Sequence, residues 1–346
     1  MFGLDFDFAV PVLPLSQLIS LASVHRTDAW LRQTPGGAGV WGGNEFRPHE
    51  SSAGTLIVCD DLGGDFPTRA PRGRRVLVVT EPPGIRTYRP EFLAQFGLIL
   101  SPYPMDGGQS PVVVTQTGLP WFHGLRFDRD GMRIGQSFED LVALRPGPKD
   151  NRLSVVCSTK SNLPRHRERL KFVMALKDRL QDRLVIRGRG FEPVVDKGEA
   201  IGPHRYHLVV ENNNLGCFWT EKLADAFLGW SFPLFAGARD AVDDFPLGSM
   251  VYLDIRDHAA CIAQVEKVLD DDLYETRLPA LTAAREKLLY EHNFFALISR
   301  EVEKLAPAST VFESVSHEIL RPSSRPGILK TFRRSLRGHL RRAGVT

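Results

Sequence analysis

The sequence predicts an α/β protein of two successive domains facing each other across a cleft, and three observations carry this. Short apolar runs of strand length alternate with helical stripes along most of the chain. Residues 144–151, LRPGPKDN, interrupt the alternation with two prolines, a glycine and charge, as a linker does. Residues 206–237 read as one βαβ unit with charged side chains at the carboxyl end of its first strand, where open parallel sheets bind ligands. The predicted division is residues 1–147, residues 148–310 and a basic tail over 311–346.

Length and composition agree with this. The 346 residues accommodate two domains of ordinary size, and 42 % hydrophobic with 25 % charged residues is the balance of a soluble globular chain. No window holds the roughly 18 uncharged apolar residues of a spanning helix. The first residues carry Asp5 and Asp7 where a signal peptide carries basic ones, together with two prolines. They are expected to form a first strand over 6–13 and not an export signal. Cys59, Cys157, Cys217 and Cys261 are widely spaced in apolar surroundings and match no zinc pattern, so they read as buried free thiols in a reducing cytoplasm.

In the first domain the strand-like runs are 6–13, 55–59, 75–80, 97–100 and 112–115, with the clearest helix expected over 16–31. The loop 34–43, TPGGAGVWGG, lacks the Lys-Ser/Thr ending of a phosphate loop and does not lead from a strand into a helix. The strand at 76–79 ends in Thr80-Glu81-Pro82-Pro83-Gly84. A carboxylate held there by rigid prolines is either a catalytic base or a loop glutamate in water. Trp121-Phe122-His123-Gly124 either lines a cleft or packs in the core.

The second domain starts with a strand at 153–158, a helix at 165–180 with Leu170, Val173, Met174 and Leu180 on its apolar face, and a strand at 183–186. Arg187 and Arg189 flank a glycine turn and either touch phosphate or are solvated. His204 and His207 lack ligand spacing and read as structural. In the βαβ unit, 208–210 is a buried strand and Glu211-Asn212-Asn213-Asn214 a turn. Thr220 is a good N-cap, so Glu221 and Lys222 fall in the first helical turn. A lysine there adds a full charge to the free backbone donors and the positive end of the helix dipole, which suits a phosphate. A strand at 231–235 closes the unit. A strand at 248–254, a helix at 259–269 and a long helix at 278–305 complete the domain.

Three elements in this region stand in order: Val210-Glu211-Asn212-Asn213, Thr220-Glu221-Lys222-Leu223, and a run from Gly229 through Pro233 to Gly237. They resemble the F-E-N-S, T-E-K and G-x-x-P-V-x-x-G elements of the family 10 glycosyltransferases, the α-1,3/α-1,4-fucosyltransferases. Upstream, Arg169 through Leu176 is similar to that family's R-x-x-aromatic-x-x-x-L helix, with Arg165 and Arg167 as neighbouring registers. Downstream, Asp243 to Pro246 and residues 249–254 resemble its F-x-P-x-S-F-I-x-V-x-D ending. The resemblance implies a GT-B fold, two Rossmann-like domains with the acceptor on the first and the nucleotide sugar on the second. It implies inverting transfer of fucose from GDP-fucose to a glycan hydroxyl. It assigns Glu81 as base, Arg169 and Lys222 to the diphosphate, Glu221 to the ribose, Glu211 and Asn212 to the sugar and pyrophosphate region, and Phe218 to the donor site. Phe218 stands where the family often has tyrosine, so a hydroxyl contact is lost, and Asn213 stands where it has serine. No cofactor or metal is implied, since basic side chains replace the metal; Asp243-Asp244 and residues 270–272 read as loop acids.

The tail from Ile319 holds eight of the 44 basic residues and no acidic one. Within 328–345, apolar residues at 328, 329, 332, 336 and 340 share one helical face opposite arginines. That pattern reads as an anionic membrane surface contact, against a solvated tail or a nucleic-acid contact that nothing else in the chain supports. The expectation is a peripheral enzyme at the inner face of the cytoplasmic membrane acting on a lipopolysaccharide-type or other cell-surface glycan. The alternatives are a transferase of the same fold with another nucleotide sugar and a silent glycan- or nucleotide-binding module.

Overall fold

The computed structural model describes residues 17–25, 27–161, 164–305 and 318–323. The expected strand at 6–13 and the amphipathic tail at 328–345 lie outside the described residues. The first sheet is built from β1 (Gln17–Ser23), β2 (Val40–Trp41), β3 (Asn44–Pro48), β4 (Thr55–Cys59), β6 (Arg75–Val78), β7 (Leu98–Ser101) and β8 (Val112–Val114), in the order β2-β3-β1-β4-β6-β7-β8. Only the edge pair β2–β3 is antiparallel. A short β5 (Phe66–Thr68) and a one-turn α1 (Pro90–Leu93) lie between these strands. The hairpin of β9 (Leu125–Asp128) and β10 (Gly131–Ile134) and the capped α2 (Phe138–Ala143) lead to the second sheet.

That sheet comprises β11 (Asp150–Val156), β12 (Leu184–Arg187), β13 (His204–Val210), β14 (Phe232–Ala236) and β15 (Val251–Tyr252), all parallel, in the order β12-β11-β13-β14-β15. The order reverses between β11 and β13, the switch point of a doubly wound sheet. Helices α3 (Pro164–Leu180), α4 (Lys197–Ile201), α5 (Glu221–Leu228), α6 (His258–Asp271) and α7 (Tyr274–Tyr290) belong to this half. The carboxyl ends of the two sheets meet: Cys217 N donates to Pro102 O at 3.2 Å and Gln116 Nε2 to Trp219 O at 3.1 Å. Two Rossmann-like sheets facing across a cleft in this way form the GT-B architecture.

Several sequence expectations need correction. Within the helix expected over 16–31, the described residues are not α-helical; β1 is a strand buried between β3 and β4, followed by a 3-10 turn over Asp28–Gln33. A short apolar run suits a helix or a two-faced buried strand equally, and tertiary pairing decides. The apolar face of α3 is rotated from the expected one: Phe172, Val173, Leu176 and Leu180 are buried, whereas Met174 is exposed. The long closing helix divides into α7 and α8 (Phe294–Glu303), because Asn293 turns its side chain to cap α8 at Phe295 N. α8 then returns to the first domain. Phe295 meets Phe46 edge-on at 5.0 Å and Phe294 meets Trp30 at 5.4 Å. β16 (Glu318–Leu320) pairs antiparallel with β5. Residues 294–303 and 318–323 therefore pack with 17–147, although the sequence-based division placed them in the second domain and the tail.

Candidate active site

A cleft of about 750 Å³ opens at the carboxyl ends of β11, β12 and β13, at the switch point of the second sheet. Val155 to Ser158 follow from β11, Gly188 to Phe191 from β12, Val209 and Val210 from β13, and Glu221 and Lys222 from the start of α5. Phe122 and Phe127, from the segment before the linker, close it from the other domain.

The site is built around Glu211. This carboxylate is buried at the end of β13 and receives Thr220 N at 2.8 Å, Thr220 Oγ1 at 2.7 Å and Lys222 Nζ at 3.0 Å. The bond to Thr220 fixes the start of α5, where Thr220 Oγ1 in turn caps Lys222 N. Lys222 is thereby set on the cleft wall with about a quarter of its side chain exposed. Burial alone would lower its pKa, but the Glu211 and Glu221 carboxylates outweigh that and raise it, so the ammonium is permanent.

Across the cleft floor, Arg169 from α3 donates Nη1 to Asn212 Oδ1 at 3.0 Å. Its Nε is buried with no hydrogen-bond partner among the described residues. Arg169 and Lys222 repel each other, as the field of each acts on the other side of one small space. Two cations lining one cleft supply charged hydrogen-bond donors of the kind an anion takes.

Glu221 lines the same wall, 3.6 Å from Lys222 Nζ and 3.3 Å from Lys197 Nζ. Burial pushes its pKa up, but Lys222 and Lys197 win and hold it at about 2, so it is an ionised acceptor able to take hydroxyl donors. Lys197 and Asp225 escaped the sequence reading. Asp225, fully buried in α5, accepts Lys197 Nζ at 2.8 Å and the backbone N–H groups of Phe122 and His123 at 2.8 Å each. Lys197 Nζ sits 4.8 Å over the Phe122 ring. The only sequence signal for this pair was Asp196, an N-cap immediately before Lys197.

Glu81 lies on the opposite domain, just past β6. Burial, then Asp60, then Glu221 push its pKa up to about 7 against the opposing fields of Lys222 and Arg86. The structure thus brings Arg169, Glu221 and Lys222 into one cleft; Glu81 is not among its lining residues, although the charges of Glu221 and Lys222 act on it. It does not bring Glu211, Asn212 and Phe218 into the lining. Glu211, buried, holds Lys222, and the partly exposed Asn212 holds Arg169. Phe218 is buried against Tyr103, ring centroids 6.2 Å apart, in the contact between the domains. An apolar ring without a hydroxyl gains more from that packing than from a polar ligand. Trp121 and His123 are core residues, whereas Phe122 reaches the cleft. His207 binds Ser154 Oγ at 2.8 Å and His204 binds Asp150 at 2.6 Å, both structural contacts.

No protein-family model matches the chain, and no curated protein matches it in sequence. Solved structures with a similar chain trace include an α1,3-fucosyltransferase with GDP-fucose, at 14 % identity and a TM-score of 0.48 over 87 % of this chain and 94 % of that one. They also include the OtsA apo structure, at 8 % identity and 0.46 over 84 % and 100 %. The spinosyn rhamnosyltransferase SpnG follows at 13 % and 0.36 over 73 % of each chain. At these scores the likenesses describe chain trace only, and the functional reading rests on the side chains.

Proposed function

We propose that this protein is an inverting glycosyltransferase that transfers a sugar from a nucleoside diphosphate donor to a hydroxyl, with GDP-fucose as the donor and a cell-surface or lipopolysaccharide-type glycan as the acceptor. The observation that carries the proposal is the pair Arg169 and Lys222 lining one cleft at the β11/β13 switch point, with Glu221 beside them. The choice of fucose rests on the motif resemblance around residues 210–237.

In this reading the diphosphate lies against Lys222 Nζ and the Arg169 guanidinium, and Glu221 accepts the ribose hydroxyls. Glu81 takes the proton of the acceptor hydroxyl as its oxygen attacks the anomeric carbon. The bond from that carbon to the diphosphate breaks on the opposite side, and the developing negative charge is met by Lys222 and Arg169. No bound metal is required, since the two cations do what a metal ion does elsewhere. The basic tail would hold the enzyme at an anionic membrane, which co-sedimentation with anionic and neutral vesicles tests; equal recovery with both sinks that part.

Calorimetry against GDP, UDP and CMP tests the donor site. GDP is expected to bind best, and Lys222→Ala and Arg169→Ala are each expected to weaken it roughly 10- to 100-fold, the worth of a charged hydrogen bond. GDP binding unchanged in both variants overturns the donor site, and preference for UDP or CMP overturns the choice of donor.

A further inference from the structure

The proposed chemistry leaves a buried carboxylate unused at the switch point of the first sheet, where the order reverses between β1 and β4. Asp60 follows β4 with a left-handed backbone, φ 59°, and a fully buried side chain. Its Oδ1 accepts Thr80 N at 2.8 Å and the Tyr88 hydroxyl at 2.9 Å. Its Oδ2 accepts the Thr80 hydroxyl and lies 3.8 Å from Nε2 of the half-exposed His25. Thr80 immediately precedes Glu81, and the Tyr103 hydroxyl donates to the Glu81 carbonyl at 3.0 Å. The backbone that carries Glu81 is therefore tied on both sides, from β4 and from the end of β7.

We propose that Asp60 is the positioning residue for Glu81: it clamps the turn that carries Glu81 and confronts the Glu81 carboxyl with a second buried negative charge. This deepens the reading of Glu81 as the base and rests on it. The groups that face Glu81 are Asp60 and Glu221, both acidic, Arg86 and Lys222, both basic, and the Tyr103 phenol, with the His25 ring beside Asp60. The two cations are already engaged: Arg86 with Asp61 at 3.0 Å and Lys222 with Glu211 at 3.0 Å. The acidic side therefore prevails, with burial contributing most and Asp60 next. A base whose pKa lies near the working pH is both ionised and strong enough to take a proton.

Asp60→Asn in the full chain tests this. Asparagine keeps an oxygen for Thr80 N–H and the Tyr88 hydroxyl and tolerates a left-handed backbone, so the charge is removed together with the acceptor of the Thr80 hydroxyl. The Glu81 carboxyl is followed by NMR in protein labelled with carboxyl-13C glutamate, its signal assigned by loss in Glu81→Gln. Its midpoint is expected near 7 in the parent and at least about one unit lower in Asp60→Asn, the size of a neighbouring-charge effect. A midpoint that does not move, or a parent midpoint at the ordinary value, overturns the proposal. Tyr88→Phe keeps the charge and is expected to leave the midpoint in place; an equal shift there assigns the effect to packing and also overturns it. The readout needs neither donor nor acceptor, so loss of GDP binding bears on the donor reading and the Glu81 midpoint on Asp60.

Discussion

Glu81 carries a cost that its own chemistry explains. A carboxyl with a folded-state pKa of about 7, against 4.5 in the unfolded chain, binds more protons folded than unfolded throughout that interval. Stability from this group therefore falls as pH rises from about 4.5 to about 7 and stays low above it. Glu81→Gln removes the penalty. Its thermal midpoint is expected to match the parent near pH 4 and to exceed it at pH 8, by an effect on the order of 3 kcal/mol, while transfer is lost. Equal midpoints at pH 8 would contradict a half-buried, charge-crowded Glu81. A group that is more stable when silenced fits a functional position better than a structural one. The residue scale is also where sequence reading was most uneven. Lys222 and Glu221 were legible because a capping threonine fixes where a helix starts. Glu211 was legible as important but not for its role, since only packing shows that its carboxylate lies under Lys222. Lys197 and Asp225 were not legible, because they meet Phe122 and His123 through contacts about 75 to 100 residues apart in sequence.

At the scale of elements, strands β4, β6, β7, β8 and β11 to β14 were readable as short apolar runs, and α3, α5 and α6 as capped or periodic segments. β1 was missed because a strand buried on both faces shows no alternation. The break between α7 and α8 was missed for another reason: Asn293 is a preferred N-cap residue, but apolar residues continue on both sides of it, so the two helices read as one. Its Nδ2 donates to Gln33 O at 2.7 Å, and its Oδ1 accepts Phe295 N at 3.0 Å. One side chain thus caps a helix and ties it to the turn after β1. Asn293→Ala removes the cap and leaves a buried carbonyl unpaired, so a loss of about 2–3 kcal/mol is expected in urea unfolding. Asn293→Asp restores the cap but not the donor and is expected to recover only part of it. A variant within about 0.5 kcal/mol of the parent would mean that α8 is held by its phenylalanines alone.

At the scale of the whole molecule, the two sheets were foreseeable from the linker and the alternation, but the path of the chain was not. The C-terminal third supplies one wall of the first domain: Phe294 and Phe295 cover Trp30 and Phe46, Ser299 donates to Trp41 O, and Leu320 is buried in the cluster that holds Leu56, Leu77 and Phe92. Ser323 N donates to Asp61 Oδ1 at 2.7 Å, beside the carboxylate that clamps Glu81. The two domains are therefore coupled through chain that has already passed through both. A fragment of residues 1–147 would expose Phe46, Trp41 and the face of β5 that β16 covers. It is expected to bind hydrophobic dye and to unfold without a cooperative transition. Supplying residues 294–323 on a flexible linker after residue 147 is expected to restore a sharp transition, because those residues carry the missing wall. Cooperative unfolding of 1–147 alone would show that the returning helix decorates a domain that is already complete; a transition that appears only with 294–323 shows that the first domain is assembled from both ends of the sequence, so that Glu81 is set in place only once the chain beyond the donor site has folded back.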